Sequence, residues 1–566
     1  MWSTAWKLVA APIEDAGGAR RPLDVPNGPE RADRAAVWSF VGFGGVLRVV
    51  VYALNYPLWC DEAFVAANFI TRDYADLLRP LDYSQICPLF FLWLELSAVK
   101  LLGFSEPALR LLPTAASVAG LFVFAHVSGR VLAGRARVLA VGVFAVAYYP
   151  IRHGAEVKPY ATDLLSSLVL LALAVEWWRA STGARSRSRW RWVWALAAAL
   201  PMVLGLSHPA VFVAGGISLA LAWPAWRERR RGALAAFAVY NLMLVATFVA
   251  LFAAFTGGQS RASLETLRSH YWAGAFPPWR EPARLVVWLA EAHTGRMFAY
   301  PFGEARGASG FTTLCFATGL VFLWRRRETP LLVLTLGPLG LAFAAAILGR
   351  YPYGGSVRTM IFAAPSVCLI SGLGLAALLA RLPRACDHRR AFTSAVVGLW
   401  LAGLVVLALN AAWPYKSVAD RNSRDFARWF WTEEARGADL ACVKTDLGTG
   451  FNRRNWLLFR SALYLCNQKI CSPRHRDGDP VNRAPASADR PLRCVLYNES
   501  PETDPACAFW LRAMSGRYDV SRRATFVVND PTRADDGTDD GDCYTVIDFV
   551  PRTPGVATRE GAARRE

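Results

Sequence analysis

Long apolar runs separated by short basic clusters dominate the chain from about residue 36 to residue 413. An α-helix needs about 20 predominantly apolar residues to cross the hydrocarbon core of a bilayer. The pattern therefore predicts a polytopic α-helical membrane protein with about 11 transmembrane helices. Spans one to four, seven and eleven are placed near 36–54, 108–132, 138–151, 161–178, 234–255 and 393–413, and spans five, six, eight, nine and ten end near Ser207, Arg227, Arg325, Gly349 and Arg381.

The side of the membrane follows from the basic clusters, because Lys and Arg are enriched in cytoplasmic loops. Arg31 and Arg34 precede span one, so residues 1–35 are predicted to be a cytoplasmic N-terminal tail, with no apolar segment typical of a cleavable signal peptide. The apolar stretch Leu89–Leu102 is too short to span, and counting it as a crossing would put later Arg clusters outside. It is therefore predicted to be an interfacial helix on the outer face.

The predicted transmembrane domain covers residues 36–413, with outer loops at 55–107 and 256–308. Within the second loop, the segment Pro282–His293 has the pattern of an amphipathic helix. Such a helix would either cover a lipid-filled cavity or lie at the interface without a ligand role. Both interpretations remain open.

After Trp413 the chain becomes polar and contains no span, so residues 414–566 are predicted to form a small extracytoplasmic α/β domain. Short β-like runs occur at Cys494–Tyr497 and Tyr544–Ile547. Six cysteines in an oxidising compartment favour disulfides over a zinc site, without fixing their pairing. Cys60 and Cys87 flank the first outer loop and form either a disulfide or two buried thiols. The six are Cys442, Cys466, Cys471, Cys494, Cys507 and Cys543.

The composition supports this assignment. The chain has 566 residues, of which 54% are hydrophobic and 12% aromatic, and its formal net charge is +19. The positive charge does not indicate nucleic acid, because the Arg clusters alternate with apolar runs as the positive-inside rule requires. The Ala- and Arg-rich composition indicates the inner (plasma) membrane of a bacterium.

Two adjacent acids, Asp61 and Glu62, lie where the chain leaves span one. Charged groups at a membrane boundary are costly unless they are hydrated, paired or used in function. Acids also favour the first turn of a helix, and a helix is predicted to begin near Ala63. On position alone, a functional pair and a helix cap are equally supported.

Three further polar groups are predicted to reach the same outer face: Arg110, the segment His153–Tyr160 and the segment Arg350–Arg358. Lys and Arg are the natural ligands of phosphate, and Gly354-Gly355 allows a bulky ligand to approach the backbone. Each group alone also fits an ordinary role as an interface anchor or turn. Together with the acids they suggest a base working beside an anion-binding site.

Several of these motifs occur in a characteristic order. They are Trp59-x-Asp61-Glu62-Ala63, Pro88-Leu89, Gly103-Phe104-Ser105-Glu106, Arg110-Leu111-Leu112-Pro113 and Glu156-Val157-Lys158-Pro159-Tyr160-Ala161. The ordered set resembles the N-terminal half of the GT-C glycosyltransferases. The branch most similar is that of the protein O-mannosyltransferases and the lipid A aminoarabinose transferases. The resemblance covers residues 36–180 well and residues 350–365 more loosely.

The resemblance implies a GT-C-like fold and transfer of a sugar from a polyprenyl-phosphate donor to an acceptor hydroxyl on the extracytoplasmic face, with inversion. It implies that Asp61 is the catalytic base or orients the acceptor, that Glu62 assists it, and that Arg110 pairs with these acids. No cofactor is expected. A divalent metal at Asp61 is compatible with the sequence, but no dense carboxylate cluster demands one. The residues expected to bind the donor phosphate or sugar are Arg110, Glu156, Lys158, Tyr160, Arg350, Tyr353 and Arg358.

The chain departs from the commoner family pattern at Lys158, where many relatives carry Arg. The positive charge is kept but the bidentate fork is lost. The acceptor is left open among a lipid, a glycan and a protein. The alternatives to an enzyme are a multi-pass transporter or lipid-linked-sugar flippase, and a membrane scaffold that presents the C-terminal domain. The distinctive charges lie at the outer boundary and no internal repeat is evident, which favours the enzyme.

Overall fold

The fold is described from a computed structural model. Contacts divide the chain into two compact units, one formed by Met1–Asn55 and Arg72–Pro414 and the other by Tyr56–Thr71 and Tyr415–Glu566. The residues that the structure describes are 23, 30–82, 85–180, 188–303, 307–383, 386–412, 439–443, 491–497, 508, 511–512, 514–527 and 543–552.

The first unit consists of packed helices. Eight helices of its described residues are long and apolar enough to cross a membrane, and they coincide with predicted spans one, two, four, six, seven, nine, ten and eleven. Predicted spans five and eight correspond to the shorter apolar helices Trp190–Leu206 and Gly310–Arg325. The eight long helices are Asp33–Ala53, Glu106–Val131, Tyr160–Arg179, Ala210–Glu228, Arg231–Glu265, Thr329–Ile347, Arg358–Leu379 and His388–Ala412.

Predicted span three is a broken helix. It comprises Gly134–Ala145 and Tyr148–Ala155, which meet at an angle of 50°. Pro150 explains the break, because its ring nitrogen cannot donate to the carbonyl of Val146 and the ring would clash with that carbonyl in a continuous helix. The second half carries the chain into the predicted outer segment at His153.

Span seven extends beyond its predicted end at Phe255. The helix Arg231–Leu251 continues through a π-helical turn at Phe252–Thr256 into a more polar helix, Gly257–Thr266. Later in the same segment, the amphipathic helix Pro282–Glu291 forms as predicted. Val286 and Val287 on it are exposed, as expected for a helix whose apolar side faces lipid.

The stretch predicted to be interfacial is a helix of 14 residues, Leu89–Leu102. It begins after Pro88 and ends at Gly103, whose φ of 83° is in the region that favours glycine. Span two follows at once. The Ser105 hydroxyl accepts a hydrogen bond from the Ala108 amide at 3.4 Å, so Ser105 caps this helix.

Small residues let the helices of the first unit approach closely, as is usual in membrane bundles. A Cβ atom added at Gly374 would lie 1.7 Å from the carbonyl oxygen of Cys315, and one at Gly372 would lie 2.4 Å from Cα of Ala140. Aromatic rings fill the remaining space. Phe124 and Phe144 stack with their centroids 4.2 Å apart.

The second unit contains the first-loop helices Cys60–Ala66 and Asn68–Thr71 and, in its described residues, a four-stranded sheet of order β1-β2-β4-β3. β1 pairs with β2 in parallel, and the other two pairs are antiparallel. The two predicted β-like runs fall in β2 and β4. The strands are β1 Asp439–Val443, β2 Leu492–Tyr497, β3 Tyr518–Val527 and β4 Cys543–Pro551.

The predicted disulfides of this unit lie outside the described residues, since the side chains of all six cysteines are among those not described. The side chain of Cys60 is not described either, whereas Cys87 is buried in the first unit. Cysteine pairing and the predicted domain boundaries therefore stay predictions.

Candidate functional site

The two first-loop acids have different surroundings. Trp59 precedes the helix Cys60–Ala66 in an extended conformation, and its backbone amide donates to Oε2 of Glu62 at 3.1 Å. Glu62 is fully buried. It therefore acts as the acid of a helix cap, as one of the two sequence interpretations expected. The Asp61 side chain is half-buried. Of the two acids, Asp61 is the one with access to solvent.

A cluster of buried polar and ionisable side chains lies at and after the end of span three. We call it the Lys158 cluster; it consists of His153, Glu156, Lys158 and Gln85. Nδ1 of His153 lies 2.9 Å from Oε2 of Glu156, and Nζ of Lys158 donates to Oε1 of Gln85. Lys158 is 7% exposed and Glu156 is 2% exposed. Burying two charged groups at the end of a span is costly unless they are paired or bind a ligand.

Backbone and aromatic contacts fix the shape of this turn. The amide of Lys158 donates to the carbonyl oxygen of Glu156 at 2.7 Å, which forms a tight turn around Val157. The His153 ring stacks on Tyr149 with centroids 5.8 Å apart and meets the edge of Tyr160 at 5.3 Å. The predicted donor-binding residues Glu156, Lys158 and Tyr160 therefore share one short segment whose shape these contacts define.

A second carboxylate, Asp163, lies one turn beyond Tyr160. It is buried and accepts a hydrogen bond from the Ser207 hydroxyl. Tyr351 adjoins it: burial, then the charges of Asp163 and Tyr160, raise the pKa of the Tyr351 phenol well above its usual value. The Tyr351 hydroxyl donates to the carbonyl of Thr359 at 2.6 Å. Span four and the loop before span ten thus meet at Tyr160.

Sequence reasoning missed Gln85, Asp163 and Ser207. An acid inside an otherwise apolar run is a signal that could have identified Asp163, because ionisable residues in spans are usually functional. Gln85 and Ser207 give no such signal, since an uncharged polar residue in a loop is ordinary.

The Tyr353 region belongs to a different set of contacts. Nε2 of His293 accepts from the Tyr353 hydroxyl at 3.1 Å, and Nδ1 of His293 donates to the Leu289 carbonyl at 2.7 Å. Burial lowers the pKa of His293, partly offset by the bond to Leu289, which favours the neutral ring that these two bonds require. The Tyr353 amide also donates to the Ala275 carbonyl at 2.8 Å.

The loop that contains Gly354 and Gly355 packs against the segment around the amphipathic helix. The two are so close that a side chain at either glycine would clash. Gly354 has a φ of 72°, and a Cβ atom at Gly355 would lie 2.2 Å from Cβ of Ala275. Arg296 donates to the Gly355 carbonyl. The nearest neighbours of the glycine pair are therefore Ala275 and Ala292 of the protein itself, and the predicted approach of a bulky ligand stays a prediction.

The remaining predicted cations differ in exposure. Arg110 is buried in span two, Arg358 is half-buried at the start of span ten, and Arg350 is exposed. Their roles at a phosphate stay predictions. Within the described residues, no group of three or more His, Cys, Asp or Glu side chains is arranged to hold a metal ion.

No profile of a known protein family and no curated protein matches this chain by sequence. Solved structures match it by fold. ArnT from Cupriavidus metallidurans in the apo state aligns with a TM-score of 0.50 and 13% identity, over 91% of this chain and 98% of that chain. The same protein bound to undecaprenyl phosphate aligns with a TM-score of 0.49 and 13% identity, over 90% and 97%.

The oligosaccharyltransferase of Archaeoglobus fulgidus tethered with an acceptor peptide aligns with a TM-score of 0.44 and 12% identity, over 86% of this chain and 69% of that chain. The alignment with apo ArnT spans nearly the whole of both chains. The chain is therefore an integral membrane protein with a GT-C fold, and the resemblance seen in its motifs is confirmed at the level of the fold.

Proposed function

We propose that the protein is a membrane glycosyltransferase that moves a sugar from a polyprenyl-phosphate donor to an acceptor hydroxyl on the extracytoplasmic face. The observation that carries the proposal is the Lys158 cluster, in which a buried cation is held at the end of a broken span. Such a cation is suited to an anionic ligand that enters from the lipid, because burial strengthens the attraction between charges.

The reaction is written as a single displacement. The acceptor oxygen forms a bond to the anomeric carbon while the bond from that carbon to the phosphate oxygen breaks, and the phosphate leaves with the electron pair. Asp61 takes the proton of the acceptor hydroxyl, because an alcohol is a poor nucleophile until a base accepts its proton. Attack opposite the leaving group inverts the anomeric configuration.

Lys158 stabilises the charge that develops on the leaving phosphate. Gln85 holds the Nζ atom of Lys158, while the Glu156–His153 pair fixes the turn from which the Lys158 side chain extends. Lysine acts here as a point charge rather than a fork, which allows phosphates of slightly different position. The proposal keeps five further donor-binding residues, which are supported by the resemblance to the family alone. They are Arg110, Tyr160, Arg350, Tyr353 and Arg358.

The test uses purified protein in detergent and a panel of radiolabelled polyprenyl-phosphate sugars with a crude envelope extract as acceptor. Undecaprenyl phosphate is the first carrier to use, because ArnT was crystallised with it. Wild type is expected to consume at least one donor. Asp61→Asn is expected to lose about 100-fold or more in rate, the size of a lost general base.

Two variants control this result. Asp73→Asn removes the charge of an exposed acid in the same loop and should retain wild-type turnover. Glu62→Gln keeps an oxygen that can accept from the Trp59 amide, so it should retain far more activity than Asp61→Asn. Equal turnover by wild type and Asp61→Asn would remove Asp61 from the base role. Absence of donor turnover together with absence of donor binding would reject the enzyme.

One observation favours a second candidate, a transporter or flippase for a lipid-linked sugar. Broken helices and ionisable residues inside spans are frequent in transporters. Span three is broken beside the buried Arg48, and Asp163 is buried in span four. Reconstituted vesicles distinguish the two. A flippase moves the intact donor across the membrane without cleaving the sugar, whereas the proposed enzyme cleaves it.

A further inference from the structure

We propose that Arg48, in span one, is a positioning residue that holds the break of span three and thereby the turn carrying Lys158. The role of Lys158 in this statement rests on the function proposed above. Arg48 is 1% exposed, although a charge inside a span is costly and normally marks a functional or structural need. Its contacts identify that need.

The guanidinium of Arg48 lies at the end of the first half of span three. Its Nη1 atom donates to the carbonyl of Ala145 at 3.1 Å and to the carbonyl of Gly44 at 2.9 Å. Ala145 is the last residue of the helix Gly134–Ala145, so its carbonyl has lost the amide it would have bonded in a continuous helix. A cation also interacts favourably with the C-terminal end of a helix dipole.

The second half of span three is held from the same point. Nε of Arg48 donates to the Ser117 hydroxyl at 3.1 Å, and that hydroxyl donates to the carbonyl of Pro150 at 3.4 Å. The Tyr148 amide, also released by the break, donates to the carbonyl of Pro301 at 2.9 Å. Backbone groups freed by a break in a membrane helix must find such partners, because no water is available to them.

Close packing makes this arrangement specific. A Cβ atom at Gly44 would lie 2.8 Å from the Ala145 carbonyl oxygen, so a larger residue would push span one away from the break. A Cβ atom at Gly154 would lie 2.4 Å from the Ser117 hydroxyl, so Ser117 also contacts the turn directly. Lys158 follows Gly154 by four residues. Arg48 therefore connects span one to the Lys158 cluster through Ser117.

Lysine can replace Arg48 in this role only in part. A planar guanidinium directs donors to two carbonyls and a hydroxyl at once, whereas an ammonium group presents a single point of charge on a flexible stem. The arrangement predicts that Arg48→Lys keeps the charge but only partly holds the break, and that Arg48→Met releases it.

The test measures backbone amide exchange by mass spectrometry in purified protein, over peptides that cover residues 147–158. Arg48→Met and Gly44→Ala are expected to increase exchange there by about tenfold, and Arg48→Lys by less, because local opening becomes easier. Gly45→Ala is the matched control. A Cβ atom at Gly45 has no neighbour within 4 Å, so exchange should stay at the wild-type level.

Steady-state kinetics supply the second readout. They use the donor that wild type consumes in the turnover assay with the donor panel. Misplacement of the turn should lower kcat/KM of Arg48→Met by about 100-fold, with a partial recovery in Arg48→Lys. Gly44→Ala provides the same information if Arg48→Met does not fold. Unchanged exchange in folded Arg48→Met or Gly44→Ala would overturn the proposal, and so would faster exchange with unchanged kcat/KM.

The two proposals fail in different ways. Suppose that wild type turns over no donor but amide exchange rises in Arg48→Met and Gly44→Ala. The enzyme proposal then fails, and Arg48 still holds the break. If wild type turns over a donor while exchange in folded variants equals that of wild type, only the role of Arg48 is rejected.

Discussion

Adjacent residues of like charge take separate roles in the first loop. Glu62 is buried and accepts a hydrogen bond from the backbone amide of Trp59, while Asp61 is only half-buried. The sequence could predict that this pair lies at a membrane boundary, but not which acid would cap the helix. That choice depends on the backbone conformation at Trp59, which the residue types do not determine.

Buried polar residues were the least predictable part of the candidate site. Lys158 and Glu156 were found because their motif resembles that of a known family. Gln85 was not found, because its contact with Lys158 joins residues separated by 73 positions. Contacts of this kind depend on how the helices pack, and a single sequence carries no direct record of that packing.

His208 provides a prediction on pH. Burial lowers its pKa to about 4, below the value of about 6.5 in an unfolded chain. Between these values the unfolded chain binds a proton that the folded chain does not, so folding stability falls as the pH falls from about 6.5 to about 4. Thermal melting in detergent should therefore show a steeper loss for wild type than for His208→Gln over that range.

At pH 7.5 the histidine of wild type and the glutamine of the variant are both uncharged. The melting temperatures of the two proteins should therefore differ only through the packing of that side chain. The Thr256 hydroxyl lies 3.4 Å from Nε2 of His208, and an amide can restore that contact. Parallel melting curves from pH 6.5 to pH 4 would contradict the assignment of a neutral imidazole to position 208 in the folded protein.

At the scale of elements, apolar periodicity and basic clusters predicted every candidate span found among the described residues. They did not predict the break in span three, because residues 138–151 read as one apolar run. Pro150 was the available signal. The prediction also ended span seven too early, since the helix continues into the polar segment Gly257–Thr266. Hydropathy marks where a helix leaves the apolar core and not where it ends.

Helix packing gives a prediction at Gly374. A Cβ atom there would lie 1.7 Å from the carbonyl oxygen of Cys315, whereas one at Gly398 would have no neighbour within 4 Å. Both glycines lie inside helices, so replacement by Ala gains a similar helix propensity of about 1 kcal/mol. Gly374→Ala should nevertheless destabilise the protein by about 1–3 kcal/mol, because overpacking outweighs that gain.

Thermal melting in detergent measures this difference. Gly398→Ala, the matched control, should melt at or slightly above the wild-type temperature. A Gly374→Ala variant that melts with the control would show that the two helices in contact at Gly374 can separate without cost.

At the scale of the whole molecule, the predicted orientation in the membrane rests on the distribution of Arg. All the Arg clusters between spans were assigned to the cytoplasm, which places the loop between spans ten and eleven inside. Cys386 lies in that loop and is exposed. A membrane-impermeant maleimide should therefore label it only after the membrane is opened.

Comparison with Cys386→Ser isolates this signal from the other cysteines. Intact spheroplasts should give equal labelling for wild type and Cys386→Ser, and permeabilised ones should give less for the variant. A difference already present in intact spheroplasts would reverse the predicted orientation. It would also move the proposed chemistry to the cytoplasmic side.

The central claim is that Lys158 binds the phosphate of a lipid-linked donor. The most direct measurement compares donor turnover by wild type, Lys158→Met and Lys100→Met at saturating acceptor. Lys100 is the matched control, because it is an exposed lysine that lies over the ring of Tyr74 at 4.4 Å. Lys158→Met should lose about 100-fold or more in kcat/KM for the donor, as expected when a charge stabiliser is removed. Lys100→Met should retain wild-type turnover. Equal turnover by all three proteins would contradict the account.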